Sequence, residues 1–220
     1  SVDVVKAIEF LTSCGATISS GDGQLARRYD INNIVLMGHS AGGHMSVGAA
    51  ITNLKHIRNH LRAVIGLQGL YDMISYYQDF PSFVDMFEPV FGQDRAISSG
   101  SHQIGVMLAS SPTRLILDPN ALEKAIAIHR TQYDELYPSI SAQDGSYQPV
   151  QKIRFLIVHS PQDTWVNPKQ SEDLCMALKD KYPGVQVEYD HRPYGDHWDV
   201  VQSLNKKEII DMYLQFIKRN

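Results

Sequence analysis

Cysteine is scarce in this chain: Cys14 and Cys175 are the two present in 220 residues. Two thiols cannot build a disulfide framework or a four-cysteine zinc site, so a reducing, cytoplasmic setting is the simplest expectation. A run of about 18 apolar residues is also lacking, and mean hydropathy is −0.23, so no transmembrane helix is expected. The first residues hold no basic stretch followed by an apolar one, so no secretory signal is read there. Positive charge is short as well. Lys and Arg number 20 against 24 Asp and Glu, for a net charge of −4. A basic face for nucleic acid is therefore not expected, nor is a membrane partner. There is no H-E-x-x-H and no G-x-x-x-x-G-K-[ST], and Gly21-Asp22-Gly23 reads as a turn. No metal and no cofactor are expected on those grounds. Internal repeats and low-complexity blocks are missing too.

What is present suits a buried core. Hydrophobic residues make up 43% and charged residues 20%. Residues 2–13 place Val4, Val5, Ile8 and Leu11 on one face, which predicts a helix. Cys14-Gly15 ends it, and the Gly-, Ser- and Asp-rich residues 15–30 read as a loop. Apolar runs at 31–37, 61–68 and 153–158, and an alternating one at 185–189, read as strands of a parallel sheet. Helices are expected at about 41–53, after the Asn167-Pro168 cap, and after an approximate Asn205…Glu208 capping box. The last of these should bury Ile209, Ile210, Tyr213, Leu214 and Ile217. Alternating strands and helices predict an α/β fold, a mostly parallel sheet with helices on both faces. Residues 71–150 break the rhythm with Tyr71, Tyr76, Tyr77, Phe80, Phe83, Phe87 and Phe91. They read as an insertion or cap in a single 1–220 domain, with helices near 73–78, 81–88 and 119–136.

One motif carries chemistry. Residues 34–44, IVLMGHSAGGH, put Gly38-His39-Ser40-Ala41-Gly42 between a strand and a helix. G-x-S-x-G in that setting is a nucleophile elbow. The serine sits on a strained turn that projects Oγ from the sheet edge. Small residues two before and two after let strand and helix pass closely. The Ala41 N–H, at the helix start, then points at a developing oxyanion. Partners should follow in the order acid, then histidine. Asp163, five residues past Val158, is the expected acid, with Asp72 in GLYD as runner-up. His197 in YGDHW is the expected base, with His191 as competitor. His39 and His159 have poorer placement: one is the x of the elbow, the other precedes the acid.

These features resemble the α/β-hydrolase superfamily. GHSAGGH, GLYDMISYYQDFPSFVDMF, HSPQDTWV and GDHWDV are similar to the small fungal kynurenine formamidases (arylformamidases). That resemblance implies a serine hydrolase with Ser40, Asp163 and His197 as triad. The implied substrate is N-formyl-L-kynurenine, cleaved to kynurenine and formate in tryptophan degradation. It also implies a small-molecule partner and allows a homodimer. An aromatic leaving group would be met by an aromatic wall, with Tyr71, Tyr76, Phe83, Trp165 and Trp198 as candidates. Arg58, Arg62, Arg95, Arg114 and Arg154 are candidates for the substrate carboxylate. The family's H-G-G-x-W oxyanion segment has no counterpart here. The expectation is thus a chain lacking the N-terminal strands, with residues 31–37 at an exposed sheet edge. The rivals are a carboxylesterase for small acyl or methyl esters, a serine peptidase catalytic domain, and a non-catalytic hydrolase-fold binding protein.

Overall fold

In the computed structural model, the described residues are 2–13, 17–19, 25–27, 30–51, 59–83, 107, 110–118 and 150–219. Four strands form a parallel sheet in the order β3-β4-β5-β6: β3 Ile34–His39, β4 Leu61–Leu67, β5 Arg154–Val158 and β6 Gln186–Asp190. The two central strands bury nearly every side chain, as continuous apolar runs in a parallel sheet require. Alternation then sorts them by face. Val64, Phe155 and Ile157 pack with Ile8 of α1 (Val2–Ser13), with Val47 and Ile51 of α2 (Ala41–Ile51), and with Leu174 and Leu178 of the helix after β5. Ala63, Ile65, Leu67, Leu156 and Val158 face the other way, onto Ile209, Tyr213 and Phe216 of the last helix. The fold class expected from the sequence is the one observed. As expected for 31–37, β3 is an outer strand of this sheet and is only half-buried.

Several local expectations need correction. The stretch read as a loop, 15–30, holds a short antiparallel pair, β1 Thr17–Ser19 and β2 Leu25–Arg27. In α1 the packing is carried by Ile8, Val4 and Val5, while Leu11 lies exposed. A helix missed by pattern, α4 Pro112–Leu117, follows α3 Met73–Asp79 and a 3₁₀ turn Pro81–Phe83. Its six residues are too few for a periodic signal. Of the helix expected at 81–88, only the first three residues are described, and they form that 3₁₀ turn; the helix expected at 119–136 lies outside the described residues.

After β5, α5 (Lys169–Lys181) begins as the sequence implies, with Asn167 Oδ1 accepting from the Lys169 N–H at 3.0 Å. The capping box at Asn205 does not form. Asn205 closes a 3₁₀ turn that follows α6 (Asp199–Gln202), and α7 (Lys207–Lys218) starts without a side-chain cap. The buried face of α7 is Ile209, Tyr213 and Phe216, not the wider face expected, and Ile210 and Leu214 are each 41% exposed. Arg154 completes the docking. It donates to the Phe216 and Ile217 carbonyls at 2.6 and 3.1 Å and lies over the Phe216 ring. No helix among the described residues is long and apolar enough to cross a membrane.

Candidate active site

The sheet register delivers the site. His39, Leu67, Val158 and Asp190 end their strands in one row. The next residue of each strand donates its N–H to the neighbouring strand's last carbonyl: Ser40 to Leu67, Gln68 to Val158, and His159 to Asp190, at 2.9, 2.8 and 2.9 Å. Ser40, Gln68 and His159 therefore head adjacent strands at the carboxyl edge, where open α/β sheets bind their ligands.

Ser40 has φ 55°, a left-handed conformation that costs a non-glycine residue about 1–3 kcal/mol. The turn is held on both sides, by Ser40 N–H to Leu67 and by His44 N–H to the Ser40 carbonyl at 3.1 Å. Gly38 is what makes the turn sterically allowed: a Cβ there would lie 2.2 Å from the Gly42 carbonyl. Gly42 does not play the matching part, since a Cβ on it would meet open space. The second close approach falls at Gly43, where a Cβ would lie 3.1 Å from the Gly69 Cα. Ala41 opens α2, so its N–H belongs to the first turn, which has no intrahelical partner.

Asp163 and His197 come together. Nδ1 of His197 lies 2.8 Å from Oδ2 of Asp163, and both side chains are almost wholly buried. Oδ1 of Asp163 accepts from the Trp165 and Val166 N–H groups at 2.8 and 2.9 Å. Burial alone would raise the Asp163 pKa. The bonds from His159, His197, Val166 and Trp165 outweigh it and hold this carboxyl well below the usual range. With Nδ1 engaged, Nε2 is the nitrogen His197 has left for a substrate or nucleophile. The loop carrying His197 is stitched to the loop carrying Asp163. Asp196 accepts from both the N–H and the hydroxyl of Thr164, and the Gly195 N–H donates to Gln162. Gly195 sits at φ +95°, where a side chain is strained.

The competitors are used elsewhere. Asp72 caps α3 through the Ile74 and Ser75 N–H groups and pairs with Arg114. His191 packs against Tyr189. Two histidines given poor placement by sequence order lie within the site. His39 donates from Nε2 to the His197 carbonyl at 2.7 Å, and their ring centroids are 4.6 Å apart. Burial, the largest cause, keeps its pKa below the usual value. His159 reaches Asp163 Oδ2 at 3.2 Å. Chain order offered no signal for either; the strand register does, because it makes His39 the last residue of β3 and His159 the first after β5.

The aromatic candidates divide. Tyr71 is fully buried, its hydroxyl against the backbone of Gly66 and Gly69, so it is core rather than wall. Tyr76, Phe83, Trp165 and His197 form a near-parallel series, with centroids 6.4, 5.6 and 6.0 Å apart. Trp198, 56% exposed, packs on His39 and His197. Of the arginines, Arg62 donates to the Arg219 carbonyl, Arg114 pairs with Asp72 and Arg154 serves α7, so none of these three is set aside for a substrate. Arg58 and Arg95 lie outside the described residues. Among the described residues, no group of three His, Cys, Asp or Glu gathers as a metal site.

A parallel sheet with helices on both faces, and a strained serine at a strand-to-helix turn on its carboxyl edge, define an α/β-hydrolase-type protein. The BD-FAE family model matches residues 3–178, and the chain belongs to that family. Among solved structures it is similar to the acylaminoacyl peptidase of Pyrococcus horikoshii, at 16% identity and a TM-score of 0.55, over 87% of this chain and 24% of that one. A truncated carbohydrate esterase from gut microbiota matches at 17% identity and 0.57, over 98% and 66%. A puromycin-hydrolyzing peptidase of Mycobacterium tuberculosis matches at 19% and 0.56, over 97% and 25%. The chain thus spans about a quarter of each of the two peptidases. No curated protein sequence matches it.

Proposed function

We propose that this hydrolase is a serine carboxylesterase acting on small acyl esters, with Ser40 as nucleophile, His197 as base and Asp163 as acid. The observation that carries the reading is the buried 2.8 Å bond between His197 and Asp163, at the edge where the strained Ser40 turn lies. Ser40 Oγ attacks the ester carbonyl as Nε2 of His197 takes its proton. The Ala41 N–H receives the oxyanion. Asp163 holds the imidazole tautomer and stabilises the imidazolium, which then protonates the leaving alcohol. Water, activated by the same nitrogen, releases the acid. The matches to a carbohydrate esterase and to peptidases support general acyl transfer over a dedicated formamidase.

N-formyl-L-kynurenine remains the second substrate reading. It is favoured by the aromatic series that ends on His197, which suits an aryl leaving group. The test is hydrolysis of p-nitrophenyl acetate and of N-formyl-L-kynurenine, with Ser40→Ala as the blank. The ester should turn over faster, and Ser40→Ala should remove activity by roughly 10⁶-fold. Equal rates in the variant would overturn the assignment, and formate release exceeding ester hydrolysis would return it to formamidase.

A further inference from the structure

We propose that His159, held in one tautomer by Ser171, is a positioning residue that clamps the Asp163 carboxylate between two imidazoles. The inference deepens the hydrolase reading, and its kinetic arm rests on that reading. His159 and Ser171 are wholly buried. Nε2 of His159 faces two acceptors, the Val166 carbonyl at 3.0 Å and Asp163 Oδ2 at 3.2 Å, so that nitrogen carries the hydrogen. A neutral ring then leaves Nδ1 as acceptor, and the Ser171 hydroxyl lies 2.7 Å from it, placed to donate. Asp163 is met on all sides: Oδ2 by the His197 N–H at 2.8 Å and, at 3.2 Å, by the His159 N–H that it shares with the Val166 carbonyl, and Oδ1 by two backbone N–H groups. A carboxylate has about four lone-pair sites, and contacts on both oxygens restrict the turning of its plane.

The clamp is anchored at both ends. His159 is tied to the sheet by its N–H to Asp190, and Ser171 stands in the first turn of α5. Nothing in the proposed reaction requires His159 to touch substrate. Its effect passes through Asp163 to His197. Withdrawing its N–H would leave Oδ2 more basic, which strengthens the hold on a protonated His197.

The experiment follows kcat and KM for p-nitrophenyl acetate against pH in wild type, His159→Leu, His159→Gln and Ser171→Ala. The other titratable groups facing the pair are His39, against the His197 ring, Asp196, which accepts its backbone N–H, and Tyr76 on α3. They are the same in every variant. His159→Leu should lower kcat about ten- to a hundredfold with KM unchanged, and should move the acid limb to higher pH. His159→Gln, whose amide N–H restores a donor, should recover most of the loss. A folded His159→Leu with wild-type kcat and acid limb overturns the proposal. Imidazole ¹H–¹⁵N NMR supplies an arm independent of activity. His159 should appear as the Nε2–H tautomer in wild type and lose that preference in Ser171→Ala. An Nδ1–H tautomer in wild type overturns the clamp even if esterase activity is absent. If His159→Leu does not fold, Ser171→Ala decides: an unaltered His159 tautomer there also overturns it.

Discussion

Replacing Asp163 by Asn changes one atom and sets up a conflict whose outcome the hydrogen bonds dictate. The Oδ1 position receives two backbone N–H groups, from Trp165 and Val166 at 2.8 and 2.9 Å. Only an acceptor fits there, so the asparagine must turn its carbonyl to that side and its NH₂ toward the former Oδ2 position. That position faces Nδ1 of His197 at 2.8 Å and Nε2 of His159 at 3.2 Å. An NH₂ group forces His197 to accept at Nδ1, which moves its proton to Nε2. The nitrogen that should take the Ser40 proton is then already protonated. In the Ser-His-Asp template this wrong-tautomer state costs about 10⁴-fold in kcat, or about 5.5 kcal/mol of transition-state stabilisation. We expect roughly 10³- to 10⁴-fold here, with KM for p-nitrophenyl acetate changed by less than about threefold. The NH₂ also meets the His159 N–H donor to donor, so the melting temperature should fall as well. Steady-state kinetics alongside thermal unfolding separates the two effects. A folded Asp163→Asn protein with kcat within about tenfold of wild type would refute the reasoning, because another group would then be orienting the base.

Three further outcomes are expected. Gly38→Ala puts a Cβ 2.2 Å from the Gly42 backbone, which no rotamer change relieves. The loss should reach or exceed the roughly 1–3 kcal/mol usual for overpacking, seen as a drop in denaturant midpoint, and an unchanged midpoint would mean strand and helix do not pass as described. Trp165→Ala removes a 40% exposed ring between Phe83 and His197, so KM for aryl esters should rise severalfold while that for ethyl acetate stays level. An equal change for both esters would deny the ring a part in selectivity. Stability should fall with pH in two stages. Burial keeps His39 and His44 below their ordinary 6.5, so the unfolded chain takes up protons first and stability drops as pH falls below 6.5. Asp163, held below its ordinary 3.8, adds stability that is complete above that value and is lost as pH falls beneath it. Melting temperature measured from about pH 8 to about pH 3 checks both stages, and a flat profile through the first contradicts the histidine assignment.

The strands, their parallel pairing and the elbow were legible because each leaves a local mark. Apolar runs such as AVIGL and FLIV have no polar face, so burial on both sides is written into them. G-x-S-x-G between a strand and a helix marks its turn by the same local chemistry. Sequence order along an α/β sheet favours Asp163 and His197 over Asp72 and His191, and the fold brings the first two within 2.8 Å of each other. The faces of α7 are less legible, because they depend on how the helix is turned against the sheet. Arg154, bonded to the last carbonyls of the helix and lying over the Phe216 ring, holds Phe216 inward. Tyr71 could not be told from a wall residue by type alone; only its contact with Gly66 and Gly69 makes it core. His39 and His159 were set aside because chain order is one-dimensional. The parallel register lays the ends of β3, β4 and β5 side by side, so residues more than a hundred positions apart share one edge. What the amino-acid sequence determined alone was the fold class and the strand-to-helix turn at Ser40, both consequences of short-range pattern. What the tertiary structure decided was the surroundings of Asp163 and His197, because hydrogen-bond partners there are chosen by register and burial rather than by neighbours in the chain.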